Sequence, residues 1–161
     1  MAEAISNTSP LVYLHRAGIL DWLPRLFSSL WIPTAVLSEL QEGRRLGFDV
    51  PDPQAFSWLE VVDPNAIPSE WLTQDLGTGE LNALALALEN PNRVVLLDDA
   101  RARRVGQAAG LVVWGTLRIL LEGKALQLTP TIAPWIDRLA QAGMWLSDDI
   151  RVRILALADE T

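Results

Sequence analysis

Short runs rich in leucine and β-branched residues alternate along this chain with longer stretches whose apolar positions recur every three or four residues. The first run, Ala4-Ile5-Ser6, predicts a strand. Thr8-Ser9-Pro10 follows it, hydroxyl side chains and a proline of the kind that open a helix, and Leu11, Leu14 and Ile19-Leu20-Trp22-Leu23 continue on helical spacing. Leu30-Trp31-Ile32 predicts a second strand, closed by Pro33-Thr34, with Val36, Leu37 and Leu40 marking the helix behind it. Trp58 to Val62 predicts a third strand. Leu76-Gly77-Thr78-Gly79-Glu80 then introduces a helix running to about Glu89, with Thr78 as the expected cap. Arg93 to Leu97 is the clearest strand and ends at Asp98-Asp99; a helix from Ala100 to Ala109 follows and stops at Gly110. Leu111 to Trp114 is the last strand. Three helices are expected after it, over Leu117–Glu122, Ile132–Ala142 and Asp148–Ala158, with Ser147 capping the last.

Five short strands alternating with helices predict an α/β fold. The expected form is a three-layer α/β/α sandwich with a mainly parallel, about five-stranded sheet covered on both faces. A chain of 161 residues suits one domain, here residues 1–161, and Gly43 to Pro53, with its glycines and prolines, reads as a surface loop within it. Ligands of such sheets sit beyond the carboxyl ends of the strands, which says where chemistry is to be sought.

Composition narrows the classes. Half of the residues are apolar and a fifth are charged, a globular balance. No apolar run approaches the length of a membrane span, and the start lacks the basic and apolar regions of a secretory signal, so a cytoplasmic protein without membrane contact is expected. Cysteine is absent, which excludes disulfides, thiolate zinc sites and cysteine nucleophiles. The net charge of −7 speaks against nonspecific coating of nucleic acid but leaves room for an enzyme whose acids gather at a metal. The cations are twelve arginines and one lysine, Lys124. Seven tryptophans in a chain half apolar predict a homodimer, with the tail helix around Ile150, Ile154, Leu155 and Leu157 as one contributor.

Acidic and amide groups recur at strand and helix ends. Asn7 follows the first strand and Asp98 and Asp99 the fourth; Glu39 lies in the helix after the second; Glu80 opens a helix that is otherwise nearly apolar. Clustered carboxylates at a buried edge need compensation, and a hard divalent cation supplies it. Each residue alone also has a plain explanation, such as a helix cap or a favourable place near a helix dipole; the combination is what points to a metal. Other schemes lack parts. His15 is the only histidine, so neither a zinc pair nor a persuasive serine–histidine relay is available, and the Gly77-Thr78-Gly79 turn is too short for a phosphate loop. A phosphoacceptor domain would look for a lysine after the last strand, where Trp114-Gly115-Thr116 stands instead. Arg101, Arg103 and Arg104 begin two residues after Asp99 and are candidates for binding backbone phosphates beside the acids.

Ile5-Ser6-Asn7-Thr8-Ser9-Pro10-Leu11, Val36-Leu37-Ser38-Glu39-Leu40, Gly77-Thr78-Gly79-Glu80-Leu81-Asn82-Ala83 and Leu96-Leu97-Asp98-Asp99-Ala100-Arg101-Ala102-Arg103 stand in the order and spacing of the motifs of PIN-like domains, which this chain resembles over nearly its whole length. The resemblance implies a metal-dependent ribonuclease, often the toxin of a toxin–antitoxin pair. It implies Mg2+ or Mn2+ as cofactor, RNA as substrate and a small antitoxin protein as partner. Its acidic positions fall on Asn7, Glu39, Glu80 and Asp99, with Asp98 as the alternative to Asp99, and Thr8 or Ser9 would support the first by hydrogen bonding. Asn7 departs from the aspartate usual there: it offers an oxygen without a charge. A PIN-like module that binds without cleaving is therefore the rival reading.

Overall fold

A computed structural model describes all residues, 1–161. Its sheet has five parallel strands: β1 (Ala2–Ser6), β2 (Phe27–Ile32), β3 (Leu59–Val61), β4 (Val94–Leu96) and β5 (Val113–Trp114), in the order β3-β2-β1-β4-β5. Eight α-helices connect and follow them: α1 (Thr8–Ala17), α2 (Leu23–Leu26), α3 (Thr34–Arg45), α4 (Thr78–Glu89), α5 (Ala100–Ala108), α6 (Thr116–Ala125), α7 (Ala133–Gln141) and α8 (Asp148–Leu157). The result is the expected three-layer α/β/α sandwich.

The period of two along a strand builds the layers. Ala4, Val94 and Leu96 point to one face and join a core with Leu11 and Leu14 of α1, Val36 and Leu40 of α3, Ile119 and Leu120 of α6, and Ile136 and Leu139 of α7. Ile5, Val95 and Leu97 point to the other, against Leu84 and Leu86 of α4 and Ala102 of α5. The central strands are apolar on both faces, which a sheet covered twice requires.

Several boundaries differ from the sequence pattern, each for a local reason. Helix α1 does not continue through Ile19–Leu23: Gly18 adopts φ +81°, its N–H closes onto His15 and Leu14 carbonyls, and a separate 3-10 turn, Leu20–Trp22, carries the apolar residues onward. Gly43 belongs to α3, packed against Val50, and the loop begins only after Arg45. The cap of α1 position is held by Asn7, not by Thr8 or Ser9, and that of α4 by Gly77, not Thr78. Ser147 caps α8 as expected, accepting the Ile150 N–H at 3.2 Å.

The chain's last turn is tied down by charge. Ile132, at the head of α7, has no side chain to cap it, and Glu160 does so from afar: its carboxylate accepts N–H groups of Ile132 and Ala133 and the Lys124 ammonium at 2.9 Å. Burial pushes the Glu160 carboxyl up, but these donors outweigh it and hold the group below its usual 4.5. A carboxylate lowered by folding stabilises fully above its unfolded value and stops doing so as pH falls through the folded one. Glu160→Ala is therefore expected to cost about 1 kcal/mol at pH 7, the ordinary worth of a helix cap. In urea melts the gap to wild type should close below pH 4.5; an equal gap at pH 7 and pH 3 would contradict this role.

Candidate functional site

Strand order reverses between β1 and β4, and the chain leaves them toward opposite sides, so a crevice opens at their carboxyl ends. Asn7 stands on one lip as the residue between β1 and α1; Asp98 and Asp99 stand on the other, between β4 and α5. Glu39 reaches the same edge from α3 and Glu80 from the first turn of α4.

Gly79 lets two of these groups meet. A Cβ there would lie 2.2 Å from Glu39 Oε1 and 3.0 Å from Asn7 Oδ1, so both oxygens rest against the bare backbone of α4. The Thr8 hydroxyl donates to the second Glu39 oxygen at 3.0 Å. Asn7 is buried and its Oδ1 has no hydrogen-bond partner, the one buried side-chain polar atom in the chain so placed. An unpaired buried acceptor costs about 1–3 kcal/mol, and native structures rarely keep one without use.

Glu80 is half-buried and its Oε1 accepts the Gly77 N–H at 2.9 Å, closing the head of α4. Burial pushes its carboxyl up, the Gly77 N–H pulls it back, and the charges of Asp99 and Glu39 push it up again; the net shift is upward. Those two repulsions place Glu80 in one electrostatic neighbourhood with Asp99 and Glu39. Asp99 is exposed and spends one oxygen, Oδ2, on the Ala102 N–H at the head of α5. Asp98 spends both: Oδ1 accepts the Thr116 N–H at 2.8 Å and Oδ2 the Thr116 hydroxyl at 2.7 Å. Burial raises the Asp98 carboxyl against the pull of Thr116 and the Arg103 guanidinium.

The three arginines separate. Arg103 turns inward, donates to the Leu97 carbonyl at 3.1 Å and lies near Asp98 and Gly115. Arg101 pairs with the exposed Asp75 at 2.8 Å, and Arg104 is exposed. Thr8 supports Glu39 and not Asn7, and Ser9 makes no side-chain hydrogen bond but lines a neighbouring cleft. Sequence reasoning missed Thr116 as the partner of Asp98 and Gly79 as the space that admits Glu39; the Gly-Thr pairs at 77–79 and 115–116 were the available signal.

No three Asp, Glu or His side chains close on a common point as a ready ligand set. The donors nevertheless fit a divalent metal in kind: all are oxygens, Asn7 Oδ1 lacks any other partner, and the Gly79 cradle keeps room beside it. A family model described as a PIN domain (DUF3368) matches residues 3–160. The chain belongs to the PIN-domain family. No curated protein and no solved structure gives a significant match to it. PIN domains have a nuclease-like fold, generally use divalent metals and generally bind nucleic acid. No helix of this one is long and apolar enough to cross a membrane.

Filling the cradle of this PIN domain separates stability from site geometry. Gly79→Ala should leave stability within about 1 kcal/mol, since alanine favours the helix and the exposed Glu39 carboxylate can swing away. Mn2+ affinity should fall about tenfold, the scale of lost ligand orientation. Thermal melts with and without Mn2+ read both; equal Mn2+ stabilisation in the variant would mean that Glu39 does not need this position.

Proposed function

We propose that this PIN domain hydrolyses RNA phosphodiester bonds with Mg2+ or Mn2+ held by Asn7, Glu39, Glu80 and Asp99. The observation that carries the reading is the unpartnered, buried Asn7 Oδ1 packed with Glu39 against Gly79. We favour Asp99 over Asp98 as ligand, because Asp99 keeps one oxygen free while both Asp98 oxygens hold the start of α6. Held by these residues, a divalent ion would supply charge stabilisation at the scissile phosphate and lower the pKa of the attacking water.

The chain's own residues do the rest. Thr8 fixes the Glu39 carboxylate, and the Ala102 N–H fixes Asp99. The Gly77 N–H fixes one Glu80 oxygen and leaves the other facing Glu39 and Asp99, for the metal or its water. Arg103 offsets the negative edge and meets a backbone phosphate, with Arg101 just before it and the exposed Arg104 just after it on α5 for the flanking strand. The test is cleavage of single-stranded RNA with Mn2+, with chelator and with Glu80→Gln. Metal-dependent cleavage by the wild type alone supports the proposal; cleavage that survives the substitution overturns it.

Asn7 itself favours the second reading, an RNA-binding module without cleavage, since it removes one charge from the ligand set. RNA binding with no Mn2+ binding would decide for that module. Action as the toxin beside a small antitoxin protein, in the cytoplasm, is proposed from family resemblance. Homodimerisation is proposed from apolar side chains left in water, Phe48 and Leu46 among them, each more than half exposed. Light scattering should give twice the 17.8 kDa chain mass; a monomer at high micromolar concentration would remove the dimer.

A further inference from the structure

A cleft of about 710 Å³ runs from Asp98 and Asp99 toward the chain's C-terminal segment. Tyr13 of α1, Leu117 and Leu121 of α6, and Ile154 of α8 are among its apolar lining, and Trp145, in the loop before α8, is on its wall. Trp145 is 81% exposed, the most solvent-exposed large apolar side chain in the chain. Arg103 and Arg118 also line the cleft, Arg118 lying over the Trp114 ring at 4.9 Å.

We propose that this cleft receives one unstacked nucleobase of the RNA strand whose phosphate lies at Asp99, with Trp145 as its stacking platform. The inference rests on the ribonuclease reading and adds to it a base-binding site. Position comes first: the cleft shares Asp98, Asp99 and Arg103 with the acidic edge, so a strand held at one continues into the other. Charge comes second. The chain is strongly acidic, but this lining carries two arginines against two aspartates, Arg118 also pairing with Glu122 at 2.7 Å, so the cleft wall itself is close to neutral toward a polyanion. Chemistry comes third. An apolar floor with an indole, a phenol and guanidinium groups suits a planar ring with polar edges, and single-stranded RNA is read by splaying bases onto aromatic and arginine planes. The volume lies within the range of small-ligand pockets.

The test measures affinity for a labelled single-stranded RNA in chelator, so that neither metal nor turnover enters, for wild type, Trp145→Ala and Trp145→Phe. Sedimentation of the RNA-free protein at the same concentrations accompanies it. Trp145 is so exposed that its removal leaves the core intact. The expected result is a loss of about five- to a hundredfold for alanine, the range of one base–aromatic stack, with most of the affinity restored by phenylalanine. Unchanged affinity in Trp145→Ala overturns the proposal, as does a wild type that binds no RNA. A change of mass on removing Trp145, with RNA affinity unchanged, would assign the cleft to a second copy instead. Failure of the metal reading shows separately, as absence of Mn2+ binding by the wild type, and does not alter these outcomes.

Discussion

Glu80→Gln is expected to remove most of the stabilisation by Mn2+ and, at the same time, to make the metal-free protein more stable. The two effects have one source. Glu80 is half-buried beside Asp99 and Glu39, and its raised carboxyl means that folding favours the protonated form. A group raised by folding costs stability once pH passes its unfolded value of 4.5, and the cost is complete above the folded one. Glutamine keeps an oxygen for the Gly77 N–H, so the head of α4 stays closed while the charge disappears. In chelator the variant should melt above wild type at pH 7 and converge with it near pH 4. With metal at roughly a hundred times its dissociation constant, a bound state gains about 2.7 kcal/mol, which is about 5–10 °C for a chain of this size. Wild type should show that rise and Glu80→Gln no more than about 1–2 °C, its affinity falling at least about a hundredfold. A variant that melts below wild type in chelator at pH 7 would mean that the Glu80 charge is compensated by groups of the protein itself.

Asn7→Asp should act in the opposite sense on both quantities. The amide and the carboxylate have nearly one shape, so packing against Gly79 is kept while a charge is added beside Glu39. Unit charges 4 Å apart interact by about 4 kcal/mol at an effective dielectric near 20. Desolvation and repulsion from Glu39 and Glu80 remove most of that, leaving about a tenfold gain in Mg2+ or Mn2+ affinity. In chelator the new carboxylate is a buried charge among acids, relieved only in part by the N-terminus of α1, and a loss of about 1–3 kcal/mol is expected. Calorimetric titration and a melt in chelator measure the two halves. Unchanged affinity would mean that Asn7 does not face the metal.

What the sequence shows of this fold is what local chemistry dictates. The central strands show as apolar runs because a sheet covered on both faces needs them, the edge strands β3 and β5 show as short, more exposed apolar runs, and Gly110 and Ser147 mark helix ends through their own backbone or hydroxyl. Gly18 misled the reading: the apolar spacing of Leu14, Ile19 and Leu23 looks helical, while the turn at φ +81° between them is invisible to periodicity. Caps supplied from a distance were equally hidden, as with Glu160 on α7 and Asp98 on Thr116, since nothing local announces them. At the candidate site the residue types and their order were legible. Their division of labour was not: that Thr8 serves Glu39, that Arg103 alone of the three arginines turns toward Asp98, and that Gly79 matters for the side chain it lacks all depend on contacts between separate elements.

The central claim is that Asn7, Glu39, Glu80 and Asp99 form a divalent-metal site. Its most direct test is a calorimetric titration of Mn2+ into the wild-type protein and, side by side, into Glu39→Gln, whose exposed position makes the exchange harmless to the fold. Saturable binding by the wild type, weakened at least about tenfold in the variant, is the expected result. No binding by the wild type, or equal binding by both, would contradict it.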